Sequence, residues 1–237
     1  LEDNQPAAPL ESATLPDIYY IILDGYGRAD VLNELYGYDN SKFTNFLQQH
    51  GFYVAEHSTS NYALTVQSLS SSLNFAYLDV LNQEYPGLTN DLNPMMFLLI
   101  QNRVQRFLQK QGYEMVIFDS GFPVTEVLPA DLRPGPSVSL NAYQNQVINL
   151  TPLRLLLVNA QYDLHRNRIL YAFEHLPDAA HAAKPRFIFA HILLPHPPFV
   201  FRADGSPTPI DKDFNINDTG SFIGQAEYVE NYRAQVI

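Results

Sequence analysis

The hydrophobic pattern of the chain opens with an unbroken run of apolar and aromatic residues, Ile18–Leu23, that ends in Asp24-Gly25. A run this short and this rich in Ile and Tyr predicts a strand buried on both faces, as in a parallel sheet. Gly25 can adopt backbone angles that other residues avoid, so we expect a turn there. Asp24 is then placed at the carboxyl end of a central strand, where open α/β sheets bind ligands. The alternative is an aspartate that only stabilises the turn.

Two later segments repeat this pattern. Residues 113–119 predict a second strand, and Asp119 again stands just before a glycine turn, where a turn role is expected for it. Residues 186–194 predict a third buried strand. The apolar stripe of residues 93–112 predicts one long helix, capped by Asn93, before the second strand. Strands joined through a helix run parallel, so the predicted fold class is α/β, a three-layer α/β/α domain with a mainly parallel central sheet.

The remaining periodicity predicts shorter elements. Turn residues and apolar spacing place helices at 29–36, 41–50, from near 65, 151–157, 163–176 and 224–237, and a short strand at 52–54. The Pro-rich residues 123–139 are expected to pass over the surface. Residues 1–15 are polar, rich in Pro and Ala and without periodicity, which predicts a linker that precedes one domain at 16–237.

Thr65 stands where a helix of unusual composition is expected to begin. The helix is rich in serine, which is poor helix-forming material, so it either packs closely against a neighbour or carries chemistry at its start. One interpretation makes Thr65 an ordinary N-cap, and the frequency of such caps favours it. The other makes it a nucleophile whose developing negative charge meets free N–H groups at the helix N-terminus.

The histidines differ in the roles that the sequence predicts for them. Three prolines surround His196 and hold its backbone extended, which fixes the direction of the imidazole. Such a histidine is a candidate ligand or acid–base group. His191 lies inside the predicted strand and is expected to be buried and hydrogen-bonded. His165 and His175 do not share a helical face, so they are expected to be surface or packing residues, and His181 lies in an Ala-rich linker.

The amino-acid composition excludes several classes of function. The 237 residues suffice for a sizeable core, and 46% of them are hydrophobic. A net charge of -11 and a pI of about 4.9 argue against nucleic acid as a partner and against electrostatic binding to anionic lipid. With no cysteine, disulfides, thiolate metal sites and cysteine nucleophiles are excluded. The sequence contains neither a signal peptide nor an apolar run long enough to span a membrane.

Three features now occur in order: a strand ending in Asp24-Gly25, a small-residue helix opened by Thr65, and a strand leading into His196-Pro197-Pro198-Phe199. In this combination the chain resembles the sulfatase-like branch of the alkaline phosphatase superfamily, which includes lipoteichoic acid synthases and phosphoethanolamine transferases. The resemblance covers nearly all of the chain from Asp17 onward. It rests mainly on the stretches Ile-Tyr-Tyr-Ile-Ile-Leu-Asp-Gly-Tyr and Asn-Tyr-x-x-Thr-x-x-Ser-Leu.

The resemblance implies roles for four residues. Asp24 is expected to bind a metal, and Thr65 is expected to be the nucleophile and to contact the same metal. His196 is expected to contact the transferred phosphoryl or sulfuryl group, or a second metal, and Asn61 to bind substrate. The implied cofactor is a divalent cation, with Zn or Mn first and Ca or Mg as alternatives. Such a cation lowers the pKa of an attacking hydroxyl and neutralises the oxygens of the group in transfer.

Two departures from the family pattern matter. Family members complete the metal site with an Asp-His pair after a later strand, and this sequence contains no Asp-His dipeptide. We therefore expect a fragment that holds the N-terminal part of an alkaline-phosphatase-like domain and is inactive alone. The Cys/Ser-x-Pro-x-Arg motif from which sulfatases make formylglycine is also missing. This favours phosphoryl chemistry or a direct threonine mechanism.

The sequence thus predicts part of a bacterial, extracytoplasmic, metal-dependent hydrolase or transferase. Its expected substrates are phosphodiesters, phosphoglycerol lipids or sulfate esters, and a membrane tether upstream of Leu1 is compatible with the resemblance. The alternative is a domain without catalysis that binds glycans or lipid head groups. An unrelated α/β domain is disfavoured, because the chain has neither a Gly-x-Ser-x-Gly elbow nor a phosphate-binding glycine loop.

Overall fold

A computed structural model describes residues 15–86, 88, 92–180, 182–210, 212–216 and 225–237. They form a mixed α/β structure in which helices flank a three-stranded parallel sheet with strand order β1-β3-β2. The strands are β1 (Ile18–Leu23), β2 (Glu114–Ile117) and β3 (Arg186–Ile192). The predicted α/β class and parallel strands are confirmed, as are the three strand positions. The predicted linker, apart from Leu15, and His181 lie outside the described residues.

Helices account for most of the remaining regular structure. Those in the described ranges are α1 (Ala29–Tyr36), α2 (Ser41–Gln49), α3 (Thr65–Ser72), α4 (Leu78–Glu84), α5 (Leu92–Ile100), α6 (Arg103–Lys110), α7 (Pro123–Glu126), α8 (Ala142–Asn149), α9 (Arg154–His175) and α10 (Gln225–Val236). A short 3-10 helix, Pro177–Ala179, follows α9. No helix in these ranges is long and apolar enough to cross a membrane.

The described residues fall into two compact units. The first contains those within 15–21, 60–135 and 171–190, and the second those within 22–59, 136–170 and 191–237.

The core of the first unit is built on β2 and β3. Met115 lies opposite Phe187, and Ile117 lies opposite Phe189. Met115, Ile117, Ile188 and Phe189 are fully buried, as expected for strands covered on both faces. Helix α6 packs on β2, and the serine-rich α3 packs against α4 and α5. Ser70 on α3 is buried and donates a hydrogen bond to the Met95 carbonyl, so the small residues of α3 serve close helix packing.

The core of the second unit joins residues that are far apart in sequence. Leu32 on α1, Phe199 after β3 and Tyr232 on α10 form one buried cluster. Tyr36 stacks on Tyr232 with ring centroids 3.9 Å apart, and Tyr228 meets Phe199 edge-on at 5.4 Å. Aromatic pairs of this kind add to the stabilisation that area burial supplies. Helix α10 is thereby held against α1.

The position of β1 corrects one expectation. Among the described strands β3 is central and β1 lies at an edge of the sheet. Tyr19 and Ile21 are 40% and 47% exposed, so β1 is not buried on both faces. The uninterrupted apolar run thus predicted more burial than β1 has. The residue types of a strand do not determine how many neighbouring strands it pairs with.

Three helix and strand predictions also change. The long helix predicted for 93–112 is two helices, because Asn102 caps a new start by accepting a 2.8 Å hydrogen bond from the Gln105 N–H. Helix α5 begins at Leu92, so Asn93 is not its cap. The segments predicted at 151–157 and 163–176 are joined in one helix, α9, which begins only at Arg154 and ends at His175. Residues 52–54 form no strand, and Tyr53 is 91% exposed.

The Pro-rich segment does more than pass over the surface. Ile117 N–H donates to the Leu132 carbonyl at 3.0 Å, and Leu132 N–H donates to the Met115 carbonyl at 3.1 Å. Met115 N–H also donates to the Asp131 carboxylate at 2.7 Å. These bonds occupy the backbone groups on the side of β2 away from β3, which would otherwise be an open strand edge.

Asp119 serves a turn, as predicted. Its carboxylate accepts a 3.1 Å hydrogen bond from Gly121 N–H, and its own N–H donates to the Pro134 carbonyl at 2.8 Å. Gly135 lies so close that a Cβ added there would stand 2.8 Å from the Asp119 Cβ. Real side chains do not approach this closely, so this crossing requires glycine.

This contact predicts that Gly135→Ala destabilises the protein by about 1–3 kcal/mol, because one backbone segment must move to relieve the overlap. Denaturant unfolding measures the change. The double variant Asp119→Gly/Gly135→Ala removes the opposing Cβ. Its loss of stability should be clearly smaller than the sum of the two single losses, and strict additivity would contradict the steric explanation.

Candidate functional site

Two backbone hydrogen bonds fix the position of Asp24. Its N–H donates to the Ile192 carbonyl at the end of β3 at 2.9 Å, and its carbonyl accepts from the His196 N–H at 3.0 Å. Gly25 follows with a φ of +78°, in the region that favours glycine. The backbone of His196 lies within ordinary contact distance of the Cβ position of Gly25. The loops after β1 and β3 are therefore joined at the residues that the sequence singled out.

The Asp24 carboxylate has a buried partner. His191 Nε2–H donates to Asp24 Oδ2 at 3.1 Å, and the His191 side chain is fully buried whereas that of Asp24 is 19% exposed. The prediction that His191 is buried and hydrogen-bonded is confirmed. Burial opposes ionisation of Asp24, but the hydrogen bond from His191 and the electrostatic interactions with the His191 and His196 imidazoles outweigh it, so the pKa of the carboxyl lies below its ordinary value. Asp24 is held as a carboxylate at neutral pH.

His196 is oriented by its own loop. Nδ1–H donates to the Pro197 carbonyl at 2.5 Å, since a carbonyl oxygen can only accept. This hydrogen bond selects the tautomer in which Nε2 carries a lone pair. No residue in the described part of the chain bonds Nε2. The half-buried imidazole is thus prepared to accept a proton, to accept a hydrogen bond or to ligate a cation.

Tyr232 holds the loop between Asp24 and α1. Its hydroxyl donates to the Gly25 carbonyl at 2.7 Å and accepts from the Gly27 N–H at 3.0 Å. Tyr232 is 3% exposed, and burial raises the pKa of its phenol well above the ordinary value. Sequence reasoning missed this residue. It lies on α10, more than 200 residues from the loop that it supports, and its local pattern shows only an amphipathic helix.

Thr65 and Asn61 belong to the first unit. Thr65 is the first residue of α3, whose N-cap position is taken by Leu64, so Thr65 is not an N-cap. Its partly exposed hydroxyl makes no hydrogen bond within the described residues. The Asn61 side chain accepts from Ser68 Oγ at 2.6 Å and from Tyr62 N–H at 3.1 Å. Asn61 thus ties the loop before Thr65 to the body of α3, and its predicted substrate contact stays a prediction.

His165 adds a buried imidazole to the second unit. It is 1% exposed, its ring meets Phe214 edge-on at 5.7 Å, and neither ring nitrogen finds a partner among the described residues. Burial lowers its pKa to about 3, and electrostatic interactions with Arg168 and His196 act in the same direction. His165 is therefore neutral. The sequence allowed a packing role for it but showed no sign of its proximity to His196.

These side chains fit a cation in part. Asp24 supplies an ionised carboxylate with a histidine behind it, the arrangement that orients metal ligands in many proteins. The described residues nevertheless contain no group of three or more His, Asp or Glu side chains able to hold a metal ion. Divalent cations need more protein ligands than one carboxylate for tight binding. The predicted metal thus has one well-prepared ligand here and an incomplete set around it.

The Tyr232 contacts predict a local destabilisation. Tyr232→Phe leaves the partly buried Gly27 N–H without its acceptor and should lower the free energy of unfolding by about 1–2 kcal/mol. Tyr36→Phe is the matched control, because the Tyr36 hydroxyl makes no hydrogen bond with the described residues and its ring stacks on Tyr232. Denaturant unfolding compares the two variants, and equal losses would show that the hydroxyl bonds of Tyr232 contribute nothing.

His165 predicts a pH dependence of stability. Its pKa is about 3 in the folded protein and about 6.5 in an unfolded chain. Between these two pH values the unfolded state binds more protons than the folded state. The free energy of unfolding is therefore unaffected by His165 protonation above the unfolded pKa, and it falls as the pH drops from there towards 3. His165→Leu should therefore lose less stability than the wild type between about pH 7 and pH 5. His50→Leu, at the exposed end of α2, is the control. Parallel curves for wild type and His165→Leu would contradict this assignment.

Comparisons with known proteins assign neither a family nor a function to the chain. No protein-family model matches the chain, and neither a curated protein nor a solved structure matches it. The candidate site therefore depends on the residues and contacts described above.

Proposed function

We propose that the chain is part of a metal-dependent hydrolase or transferase that acts on phosphate or sulfate esters, with an alkaline-phosphatase-like three-layer α/β/α domain. The observation that carries the proposal is the ionised Asp24 carboxylate, held between the ends of two parallel strands with His191 behind it and His196 beside it. Polar groups at the carboxyl ends of parallel strands are where α/β proteins place their ligand sites.

Each residue has a distinct task in this proposal. Asp24 binds a divalent cation, Zn or Mn first and Ca or Mg as alternatives, and His191 keeps the carboxylate oriented and ionised. Thr65 supplies the nucleophilic hydroxyl, which has no competing hydrogen bond in the described residues. His196 contacts the transferred group through Nε2, and Asn61 contacts substrate. When bound, the cation supplies charge neutralisation and a lowered hydroxyl pKa.

Phosphoryl transfer is the preferred chemistry. A direct threonine mechanism needs a hydroxyl with free access and cationic neutralisation of the transferred group, whereas formylglycine chemistry needs a motif that this sequence lacks. The proposal includes an extracytoplasmic location and a membrane tether, both of which rest on the family resemblance. Because phosphoryl transfer is the preferred chemistry, we propose phosphodiesters and phosphoglycerol lipids as substrates before sulfate esters.

A second function has its own support. The described residues hold no complete metal cluster, as expected of a domain that binds glycans or lipid head groups without catalysis. Metal binding separates the two functions. A binding domain that descends from such an enzyme would retain Asp24 and Thr65, but it would neither bind the metal tightly nor turn over an ester.

Metal titration tests the first proposal. Asp24→Asn should weaken Mn²⁺ or Zn²⁺ binding at least about tenfold in calorimetry, because the amide cannot supply a charged ligand. Asp79→Asn, an exposed aspartate in the first turn of α4, is the control. Equal affinities for wild type and Asp24→Asn would remove Asp24 from the ligands.

Turnover tests the nucleophile. In the full gene product, Thr65→Ala should lower the metal-dependent hydrolysis of a chromogenic phosphodiester by at least about a thousandfold, while Thr65→Ser retains part of it. A chromogenic sulfate ester assayed in parallel shows which ester is preferred. A Thr65→Ala rate close to that of the wild type would assign the nucleophile elsewhere.

A further inference from the structure

Four leucines are exposed to solvent at the corner between α8 and α9. They lie within seven consecutive residues of the chain, and each is between 49% and 79% exposed: Leu150, Leu153, Leu155 and Leu156. We call these four residues the leucine tip. Single apolar side chains on a surface are ordinary, whereas a dense group of them marks a surface that binds a protein or a membrane.

Helix α8 extends this apolar surface away from the corner. Tyr143 and Val147 precede Leu150 by seven and three residues, so the three side chains share one face of the helix. All three are exposed. A rise of about 1.5 Å per residue places Tyr143 about 10 Å from Leu150 along the helix axis. The surface therefore has an aliphatic end at the corner and an aromatic end with a hydroxyl group.

A buried polar network holds the corner in place within the second unit. Gln161 on α9 donates through Nε2 to the Asn145 side chain at 2.9 Å and to the Asn149 side chain at 3.1 Å. Asn149 donates in turn to the Phe214 carbonyl at 2.9 Å. Asn145 and Gln161 are buried. The leucines are thus displayed by two helices that are tied together, and not by a free loop.

The backbone of the corner is hydrogen-bonded within itself. N–H groups donate to preceding carbonyls at Leu150, Thr151, Arg154, Leu155, Leu156 and Leu157. Pro152 has no N–H, and the Thr151 hydroxyl donates to the Ile148 carbonyl at 3.0 Å. Backbone groups without partners are costly to move from water into hydrocarbon. Because these groups already have partners, the corner can enter an apolar medium without losing hydrogen bonds to water at those positions.

The charge of the corner favours a lipid surface over other partners. Residues 134–162 contain no Asp or Glu, and Arg154 is their one charged residue, although the whole chain has 25 acidic residues. Arg154 pairs with the partly exposed Asp213, which balances its charge. Lipid phosphates therefore meet no excess of negative charge at this surface. A second copy of the chain is a less suitable partner, because the net charge of -11 on each copy opposes association.

We propose that the leucine tip inserts into the surface of a lipid bilayer. The leucines enter the acyl region to a depth of about 5–10 Å, as in other interfacial helices. Tyr143 then lies at the level of the head groups, where tyrosine is enriched. Burial of apolar surface drives this contact, so zwitterionic lipids suffice. The contact requires neither metal nor turnover and does not depend on the reaction proposed above.

Tryptophan fluorescence tests the proposal, because the chain contains no Trp. Leu156→Trp places one reporter on the leucine tip, and Leu35→Trp, at an exposed leucine of α1, is the matched control. Vesicles of phosphatidylcholine should shift the emission of Leu156→Trp to shorter wavelength in a saturable manner, and lipids brominated on the acyl chain should quench it. Leu35→Trp should show neither change. An equimolar mixture with phosphatidylglycerol should not strengthen binding, because the chain is acidic.

Serine substitutions measure the contribution of the leucines. In the Leu156→Trp protein, Leu150→Ser with Leu155→Ser should lower the partition coefficient for vesicles at least about tenfold, since each change removes apolar surface from the contact. Leu35→Ser should leave it unchanged. The substituted side chains are exposed, so thermal unfolding should change little. Leu150→Ser alone provides the comparison if the double variant is destabilised.

Three outcomes would overturn the proposal: no partition into phosphatidylcholine vesicles, equal emission shifts for Leu156→Trp and Leu35→Trp, or partition that survives both serine substitutions. A shifted emission of Leu156→Trp without lipid, together with a dimer in sedimentation, would assign the leucine tip to a second copy instead. Metal affinity that depends on Asp24 is measured without vesicles. The failure of this proposal and the failure of the proposed function are therefore distinguishable.

Discussion

The candidate site depends on the backbone connection between the ends of β1 and β3. Asp24 bonds to Ile192 through its N–H and to His196 through its carbonyl, so its position is set by the sheet and not by a free loop. Everything of chemical interest in the second unit follows from this connection. Because of it, the Asp24 carboxylate accepts a hydrogen bond from His191 and the His196 loop lies next to Asp24. The Tyr232 hydroxyl stabilises the following turn by donating to the Gly25 carbonyl. Preorganisation of this kind is what a charged site needs, since a carboxylate that must be reoriented loses affinity for its ligand.

Electrostatics and burial act in opposite directions around Asp24. Burial alone would favour the neutral acid, but the hydrogen bond from His191 and the electrostatic interactions with the His191 and His196 imidazoles reverse this, and the carboxylate stays ionised. His165, which is more deeply buried and has no hydrogen-bond partner among the described residues, stays neutral. The same unit therefore contains an ionised and a neutral group whose states are set by their partners. Such contrasting environments are typical of functional sites.

Much of the fold could be predicted from local patterns. The strand at 18–23 ends in Asp-Gly, the serine-rich helix begins at Thr65, and the third strand leads to His196, all as the spacing of apolar residues indicates. Predictions were wrong where a local helix cap or the order of the strands overrides the pattern of apolar residues. Asn102 interrupts a continuous apolar stripe by capping a new helix, and β1 lies at an edge although its residues resemble those of a central strand. The role of Tyr232 could not be predicted, because its hydrogen bonds join segments that are distant in sequence.

We propose that Asp24 binds a divalent cation. Paramagnetic Mn²⁺ is a suitable probe, because the ion broadens the resonances of nearby nuclei selectively. Substoichiometric Mn²⁺ should broaden Asp24, Gly25, His191 and His196 before other residues, and Asp24→Asn should remove this effect. Broadening distributed over the exposed acidic side chains, or broadening unchanged in Asp24→Asn, would contradict the claim and favour a domain that binds its ligand without metal.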